Sequence, residues 1–172
     1  MLSLNDPLWN QLESNYGTGE AVVRLLSMAS AGEPIHKWYD QLIQELLHQY
    51  TLSQAAYAAV PHLVDIAKIR SDARKDLVVL VGLCYANAEV EGAPVLPADL
   101  EQEWHAARHA ALPVLLEVFE DPQLNENDIR YLLSSLAAIK GQYELSIAIE
   151  ALDTEIECPE CGNWIKLSGS LE

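Results

Sequence analysis

Residues 48–70, HQYTLSQAAYAAVPHLVDIAKIR, carry the pattern that decides the fold. Between Leu52 and Ala67, apolar residues recur at steps of three and four, which is the period of one face of an α-helix. Pro61 lies inside this stretch, where a proline removes an amide donor and clashes with the carbonyl four residues back. Because the apolar face continues past Pro61, the pattern predicts one kinked helix. Two short helices that meet at Val60 are the alternative.

A second copy of this pattern lies further along the chain. The segment AVPHLVDI at residues 59–66 matches ALPVLLEV at residues 111–118, with Pro61 and Pro113 separated by 52 residues (113 − 61). Small, apolar, proline, leucine and acidic positions recur in the same order. A helical unit reused at about 40–50 residues is typical of repeat proteins, in which each unit buries its apolar face against its neighbours. The repeat predicts an all-α architecture of stacked helices.

The N-terminal region shows a shorter helical pattern. Asp6 followed by Pro7 is a pair that commonly starts a helix, and residues 8–16 then place an apolar stripe on one face, with Tyr16 as its last member. Gly17 is a residue at which such a helix would end. We therefore predict a first helix over residues 8–16.

The run LVVLVGLCY at residues 77–85 is apolar nearly all round. Such a run is either a central helix or a buried strand. We predict a helix, because its flanks are helix formers and no partner strand is visible, and we predict Cys84 to be a small core residue. With the other helical patterns of the chain, the total is about eight antiparallel helices.

The residues around Pro61 carry a family resemblance. The run HQYTL at residues 48–52, followed by AAVP at residues 58–61, resembles the motif of bacterial HEAT-repeat-like proteins of unassigned function, and residues 8–17 resemble their opening repeat. The likeness is good over residues 5–70 and loose elsewhere, and Leu52 stands where that group commonly has an aromatic residue. The resemblance implies a protein-binding scaffold with no known chemistry.

These observations predict two parts of the chain. Residues 1–152 are expected to form a HEAT-like α-solenoid, and residues 153–172 a small C-terminal CPxCG knuckle or hairpin. In that motif Cys158 and Cys161 are spaced to aim two thiolates at one tetrahedral metal, although zinc takes four ligands. A histidine, a second chain of a homodimer or a further knuckle would have to complete the site. A metal-free hairpin or tail is the alternative, and no other cofactor is predicted.

Charge and composition restrict the classes of partner. The chain has 172 residues, of which 50% are hydrophobic, enough to form a core and to exclude disorder as the main state. Its 26 acidic and 10 basic residues give a formal net charge of −16. Such a charge repels phosphate backbones, so we predict no binding to nucleic acid. An acidic surface serves solubility or a basic protein partner.

The sequence also carries signals about location. No apolar run approaches the roughly 20 residues that span a bilayer. The first ten residues, MLSLNDPLWN, lack the basic and apolar regions of a signal peptide. Three cysteines without a disulfide framework fit a reducing compartment. We therefore predict a cytoplasmic protein without a membrane partner.

Two sets of polar residues are candidates for a binding site, one for a protein and one for a metal. His48, Gln49 and Thr51 lie at a predicted helix junction, where capping of free backbone ends is the structural role and a protein-binding surface is the functional one. Glu101, His105 and His109 step by four along one predicted helix, a spacing that suits a metal, but exposed polar residues recur at such steps in any amphipathic helix. For this second group we predict a solvated face.

No catalytic residue is predicted, because the chain lacks a glycine-rich phosphate loop and a nucleophile elbow. The sequence therefore favours a non-enzymatic protein–protein interaction scaffold, with regulatory or toxin-neutralising roles suggested by analogy alone. A small zinc-binding protein with a structural metal at Cys158 and Cys161 is the first alternative. An unrecognised hydrolase or lyase is the second.

Overall fold

The computed structural model describes residues 1–49, 51–153, 155–157 and 164–166, and most of this part of the chain is helical. Its α-helices are α1 (Gly19–Ser30), α2 (Tyr39–Leu46), α3 (Gln54–Ile69), α4 (Arg74–Asn87), α5 (Glu101–Val118), α6 (Glu126–Ile139) and α7 (Tyr143–Glu150). Short 3₁₀ helices lie at Pro7–Asn10, Ile35–Lys37, Ala98–Leu100 and Ala151–Asp153. The predicted all-α class is confirmed.

The β structure consists of three short antiparallel hairpins in the described residues. They pair β1 (Glu13–Ser14) with β2 (Gly17–Thr18), β3 (Leu47–His48) with β4 (Thr51–Leu52), and β5 (Glu155–Glu157) with β6 (Trp164–Lys166). In the third hairpin Ile156 is opposite Ile165. Two of these hairpins therefore connect helices within the helical body.

Helix α3 is the centre of the helical body. It runs unbroken through Pro61, so the alternative of two helices that meet at Val60 is wrong. Nearly all of its side chains are buried, and its alanines allow neighbouring helices to approach closely. Helix α5 likewise continues through Pro113, although that proline is exposed. The two matching segments of the sequence thus form two α-helices.

The helices pack against one another around one core. Helix α3 contacts both α1 and α5. Helix α4 packs against α3 and α6, and α6 packs in turn against α7. Helix α2 contacts α1, and its Tyr39 hydroxyl donates a hydrogen bond of 2.8 Å to the carbonyl of Asp76 in α4. The two helices that carry the internal repeat, α3 and α5, are therefore direct neighbours.

The apolar run at residues 77–85 lies within α4, as predicted, and not in a strand. Cys84 is fully buried, and burial raises the pKa of its thiol well above the ordinary range. The hydroxyl of Tyr85 donates to the carbonyl of Trp104 at 2.8 Å, which links α4 to α5. Cys84 is accordingly a core residue.

The predicted first helix over residues 8–16 is wrong. Asp6 accepts a hydrogen bond from the amide of Leu8 and starts only the 3₁₀ helix Pro7–Asn10, after which the chain turns back through β1 and β2. The close return explains Gly19, because a Cβ at that position would lie 2.6 Å from the carbonyl oxygen of Trp9. Trp9 is still buried, whereas Tyr16 is exposed.

Two arginines bind the carboxyl ends of helices, where carbonyls have no partner within the helix. Arg70 is 9% exposed and donates from Nη1 to the carbonyls of Ala29 and Glu33, at 3.0 and 2.8 Å. Arg108 donates from Nε to Ile139 at 2.9 Å and from Nη2 to the carbonyl of the preceding residue. Each arginine thereby joins two neighbouring helices.

A search of the described residues finds no helix with the length and hydropathy needed to cross a membrane.

Candidate functional site

The predicted binding residues 48, 49 and 51 belong to the hairpin between α2 and α3. His48 pairs with Thr51 across this hairpin, and Gln49 has a φ of 49°, the left-handed conformation that a tight turn requires. The prediction of a helix junction is confirmed. The His48 side chain does not have the predicted capping role, because it makes hydrogen bonds with the side chains of Tyr16 and Gln44 instead of with free backbone groups.

Tyr16 and His48 form the main contact at this site. The Tyr16 hydroxyl lies 2.8 Å from Nδ1 of His48, and the two rings meet edge to face with centroids 5.2 Å apart. Nδ1 of His48 is also 3.0 Å from Oε1 of Gln44, one helical turn earlier. Tyr16 remains 61% exposed although its hydroxyl is held. The site therefore presents a large aromatic ring in a fixed position.

The hairpin that carries Tyr16 is attached to α2 and to the second hairpin. The Ser14 hydroxyl donates to Oε2 of Glu45 at 2.6 Å, and the backbone amide of Asn15 donates to the backbone carbonyl of Glu45 at 3.0 Å. When the side-chain amide of Asn15 is oriented to satisfy its neighbours, its oxygen accepts from the backbone amides of Leu47 and His48 at 3.3 and 3.1 Å. The two hairpins therefore form one rigid surface.

We call this the hairpin surface and define it by the outward-facing residues Tyr16, Gln44, His48, Gln49 and Thr51. Three carboxylates lie on the same elements, those of Glu13, Asp40 and Glu45. The surface is polar and acidic around one tyrosine. Tyrosine is among the residue types enriched at protein interfaces, because its ring is large, stiff and amphipathic.

A cleft of about 410 Å³ adjoins the hairpin surface at the start of α3. Its walls come from both hairpins and from the loop before α5, and include Asn15, Thr51, Ser53 and Pro94. Ser53 occupies the position before α3 where a side chain commonly caps the helix, but it makes no capping hydrogen bond. Its hydroxyl is buried and has no partner among the described residues.

Besides the thiol of Cys84, the large pKa shifts in the described residues belong to buried phenols that also make hydrogen bonds. Burial raises the pKa of Tyr85 and of Tyr39, and each hydroxyl donates to a backbone carbonyl. Tyr57 shows the same combination, with a bond of 2.6 Å to the carbonyl of Pro94. Burial is the main cause of each of these shifts.

The candidate metal ligands are distributed as follows. His105 and His109 lie exposed on α5 as predicted, with Nε2 of His105 3.9 Å from a carboxylate oxygen of Glu101. Among the described residues, no three histidine, cysteine or acidic side chains converge as metal ligands would. Cys158 and Cys161 lie outside the described residues, so the zinc site remains a prediction.

Tyr16 and Gln44 are the members of this site that the sequence did not predict. Tyr16 was expected on the apolar stripe of a helix. The available signal was local, since Asn15, Gly17 and Gly19 surround it with turn-forming residues. Its proximity to His48, 32 residues later, has no signature in the sequence.

Comparison with known proteins gave no match to any family model, curated protein or solved structure. The description of this site therefore rests on the geometry of the chain itself.

Proposed function

We propose that this chain is a non-enzymatic, HEAT-like helical scaffold that binds another protein through the hairpin surface. The packing of the repeated segments supports the scaffold: the matching segments around Pro61 and Pro113 lie in α3 and α5, and these helices are direct neighbours. Stacked helical repeats commonly bind proteins by surfaces that the stack holds rigid. The HEAT-like assignment derives from the sequence resemblance and the internal repeat.

The observation that carries the proposal is the exposed ring of Tyr16, fixed by His48 and Gln44. A side chain that is already held in place loses little conformational entropy when a partner covers it. Tyrosine is also one of the residues at which binding energy is concentrated in protein interfaces. The ring is thus suited to be the central contact of an interface.

Charge indicates the chemistry of the partner. The chain has a net charge of −16, and Glu13, Asp40 and Glu45 lie on the elements that form the hairpin surface. Opposite charge across an interface accelerates association and disfavours wrong partners. We therefore infer a protein partner with a basic contact surface.

Substitution of Tyr16 tests this function. The full chain is affinity-tagged and recovered from the cells that encode it, and co-purifying proteins are quantified for wild type, Tyr16→Ala and Tyr131→Ala. Tyr131 is the matched control, because it is an exposed tyrosine (41%) on α6. We expect Tyr16→Ala to reduce the recovered amount of one co-purifying protein by about tenfold or more. This is the effect of losing an interface residue that contributes over about 1.4 kcal/mol to binding.

The partner is then purified, and its dissociation constant is measured with the same three chains. Tyr131→Ala should bind like wild type, and thermal unfolding should show that both variants fold. The proposal is wrong if no partner depends on Tyr16, or if both tyrosine variants weaken binding equally.

A further inference from the structure

A second cleft lies between α5 and the turn that joins α6 to α7, away from the elements that form the hairpin surface. Its volume is about 510 Å³, within the range of small-molecule sites. It is lined by His105, Arg108, His109, Leu112, Ile139, Lys140, Gly141 and Tyr143. Four of these eight residues, His105, Arg108, His109 and Lys140, have side chains with basic nitrogen.

The charge of this cleft is opposite to that of the molecule. Acidic residues outnumber basic ones by 26 to 10 in the chain, yet no carboxylate is among the residues that line the cleft. Three other clefts in the described part of the chain each have at least one, for example Glu13, Asp40 and Glu20. The cleft is therefore a basic site on an acidic protein, which local sequence charge did not indicate.

Arg108 gives the cleft a fixed donor group. Its Nε and Nη2 are held by the last carbonyls of α6 and by the Tyr143 hydroxyl. The guanidinium also lies against the rings of Tyr85 and Tyr143, 5.4 and 5.3 Å from their centroids. Nη1 has no hydrogen-bond partner among the described residues. A guanidinium held in this way can bind an oxyanion without being ordered first.

Two carboxylates adjoin the lining residues and limit the positive charge. Oε1 of Glu101 is 3.9 Å from Nε2 of His105, and Glu89 interacts with the Tyr143 hydroxyl. His109 and Lys140 have no such neighbour among the ion pairs of the described residues. Lys140 and His109 are therefore the side chains for which a bound anion would compete least with carboxylates of the protein.

The cleft also has an apolar side. Leu112, Ile139 and the ring of Tyr143 are the apolar members of its lining. A bare inorganic anion would leave this surface exposed to water, whereas a ligand with an apolar body would cover it. Size, charge and lining thus agree on an organic anion.

We propose that this cleft binds a small organic oxyanion. A phosphate or carboxylate group pairs with Arg108, Lys140 and the imidazole N–H groups of His105 and His109. The apolar body of the ligand packs against Leu112. This site is independent of the protein interface proposed above, and neither requires the other.

The test is an NMR titration of the full chain at constant ionic strength with three probes: phenyl phosphate, benzoate and inorganic phosphate. We expect the amide resonance of Gly141 to shift on addition of phenyl phosphate or benzoate. The organic probe with the higher affinity should bind at least tenfold more tightly than inorganic phosphate. Preference for phenyl phosphate would identify a phosphate ligand, and preference for benzoate a carboxylate ligand.

The variants separate the cleft from general charge effects. The double variant His109→Gln, Lys140→Gln should weaken binding at least tenfold, while its spectrum shows an intact fold. The matched control is His36→Gln, Lys37→Gln, which removes the same two residue types from an exposed turn elsewhere. Absence of saturation by either organic probe at about 10 mM would overturn the proposal. So would equal effects of the two double variants, or equal binding of all three probes.

Discussion

At the scale of single residues, His62 is a buried histidine within the central helix. It is 8% exposed, its Nε2 lies 2.8 Å from the carbonyl of Leu2, and the ring of Trp9 is its aromatic neighbour. Burial disfavours the charged imidazolium and lowers the pKa of His62 below its ordinary value of 6.5. The bond to Leu2 and the charge of Asp65 oppose this shift without reversing it.

The lowered pKa of His62 predicts a pH dependence of stability. Below pH 6.5 the unfolded chain binds a proton at this residue more readily than the folded chain does. The contribution of His62 is therefore fully present above that pH and is lost as the pH falls towards the folded pKa. Urea unfolding should show that the free energy of unfolding falls more between pH 7.5 and pH 5.5 in wild type than in His62→Gln. Glutamine is chosen because its side-chain amide can still donate a hydrogen bond to the carbonyl of Leu2.

Comparison with a variant is needed because the net charge of −16 also changes with pH. The control is His36→Gln on the surface, which should keep the pH dependence of wild type. Equal pH dependence in wild type and His62→Gln would contradict the described environment of His62.

The residues of the hairpin surface show what the sequence reveals at this scale. His48 was predicted to lie at a helix junction, and it belongs to the hairpin between α2 and α3. No local pattern indicated the partner of His48, since Tyr16 is brought to it by the packing of two hairpins. Arg108 was missed for the same reason: its carbonyl partners lie about 30 residues away.

At the scale of helices, α4 and α6 approach each other closely at Gly82. A Cβ at this position would lie 2.5 Å from the Cα of Ser135, a distance that requires the two backbones to separate. We expect Gly82→Ala to lower the free energy of unfolding by about 1–3 kcal/mol. This loss occurs although alanine is about 1 kcal/mol more favourable than glycine within a helix.

Chemical denaturation of Gly82→Ala and of Gly17→Ala measures this effect. Gly17 is the control, because its φ is not in the left-handed region and no atom lies within 4 Å of a Cβ built there. Its substitution should change stability by no more than about 0.5 kcal/mol. A Gly82→Ala chain as stable as wild type would show that α4 and α6 are not in close contact there.

The helices also differ in how well the sequence predicted them. Helix α3 was predicted because its apolar period is long enough to outweigh one proline, and the structure buries nearly all of it. The prediction of a first helix was wrong because Trp9 and Leu12 have the spacing of residues on one helix face. Trp9 lies in a 3₁₀ helix and Leu12 in the loop after it, and both side chains are buried. In so short a segment, the periodicity does not distinguish these conformations.

At the scale of the whole molecule, the fold separates two kinds of surface. Its helices enclose one core, in which α3 contacts α1, α4 and α5, and α4 contacts α6. The hairpin surface lies at the start of α3 and is acidic, whereas the basic cleft lies at the end of α6. The sequence predicted the all-α class through its repeat and its helical periods, but not these surfaces, because each combines residues from several elements.

The central claim is that the hairpin surface binds a protein, and site-specific photo-crosslinking tests it most directly. A photoreactive phenylalanine is placed at position 16 or, as a control, at position 69 of the full chain. Ile69 is 75% exposed and lies at the far end of α3, about 22 Å along the helix from Gln54. We predict one crosslinked partner from position 16 and none from position 69. No crosslink at position 16, or the same products from both positions, would contradict the proposed function.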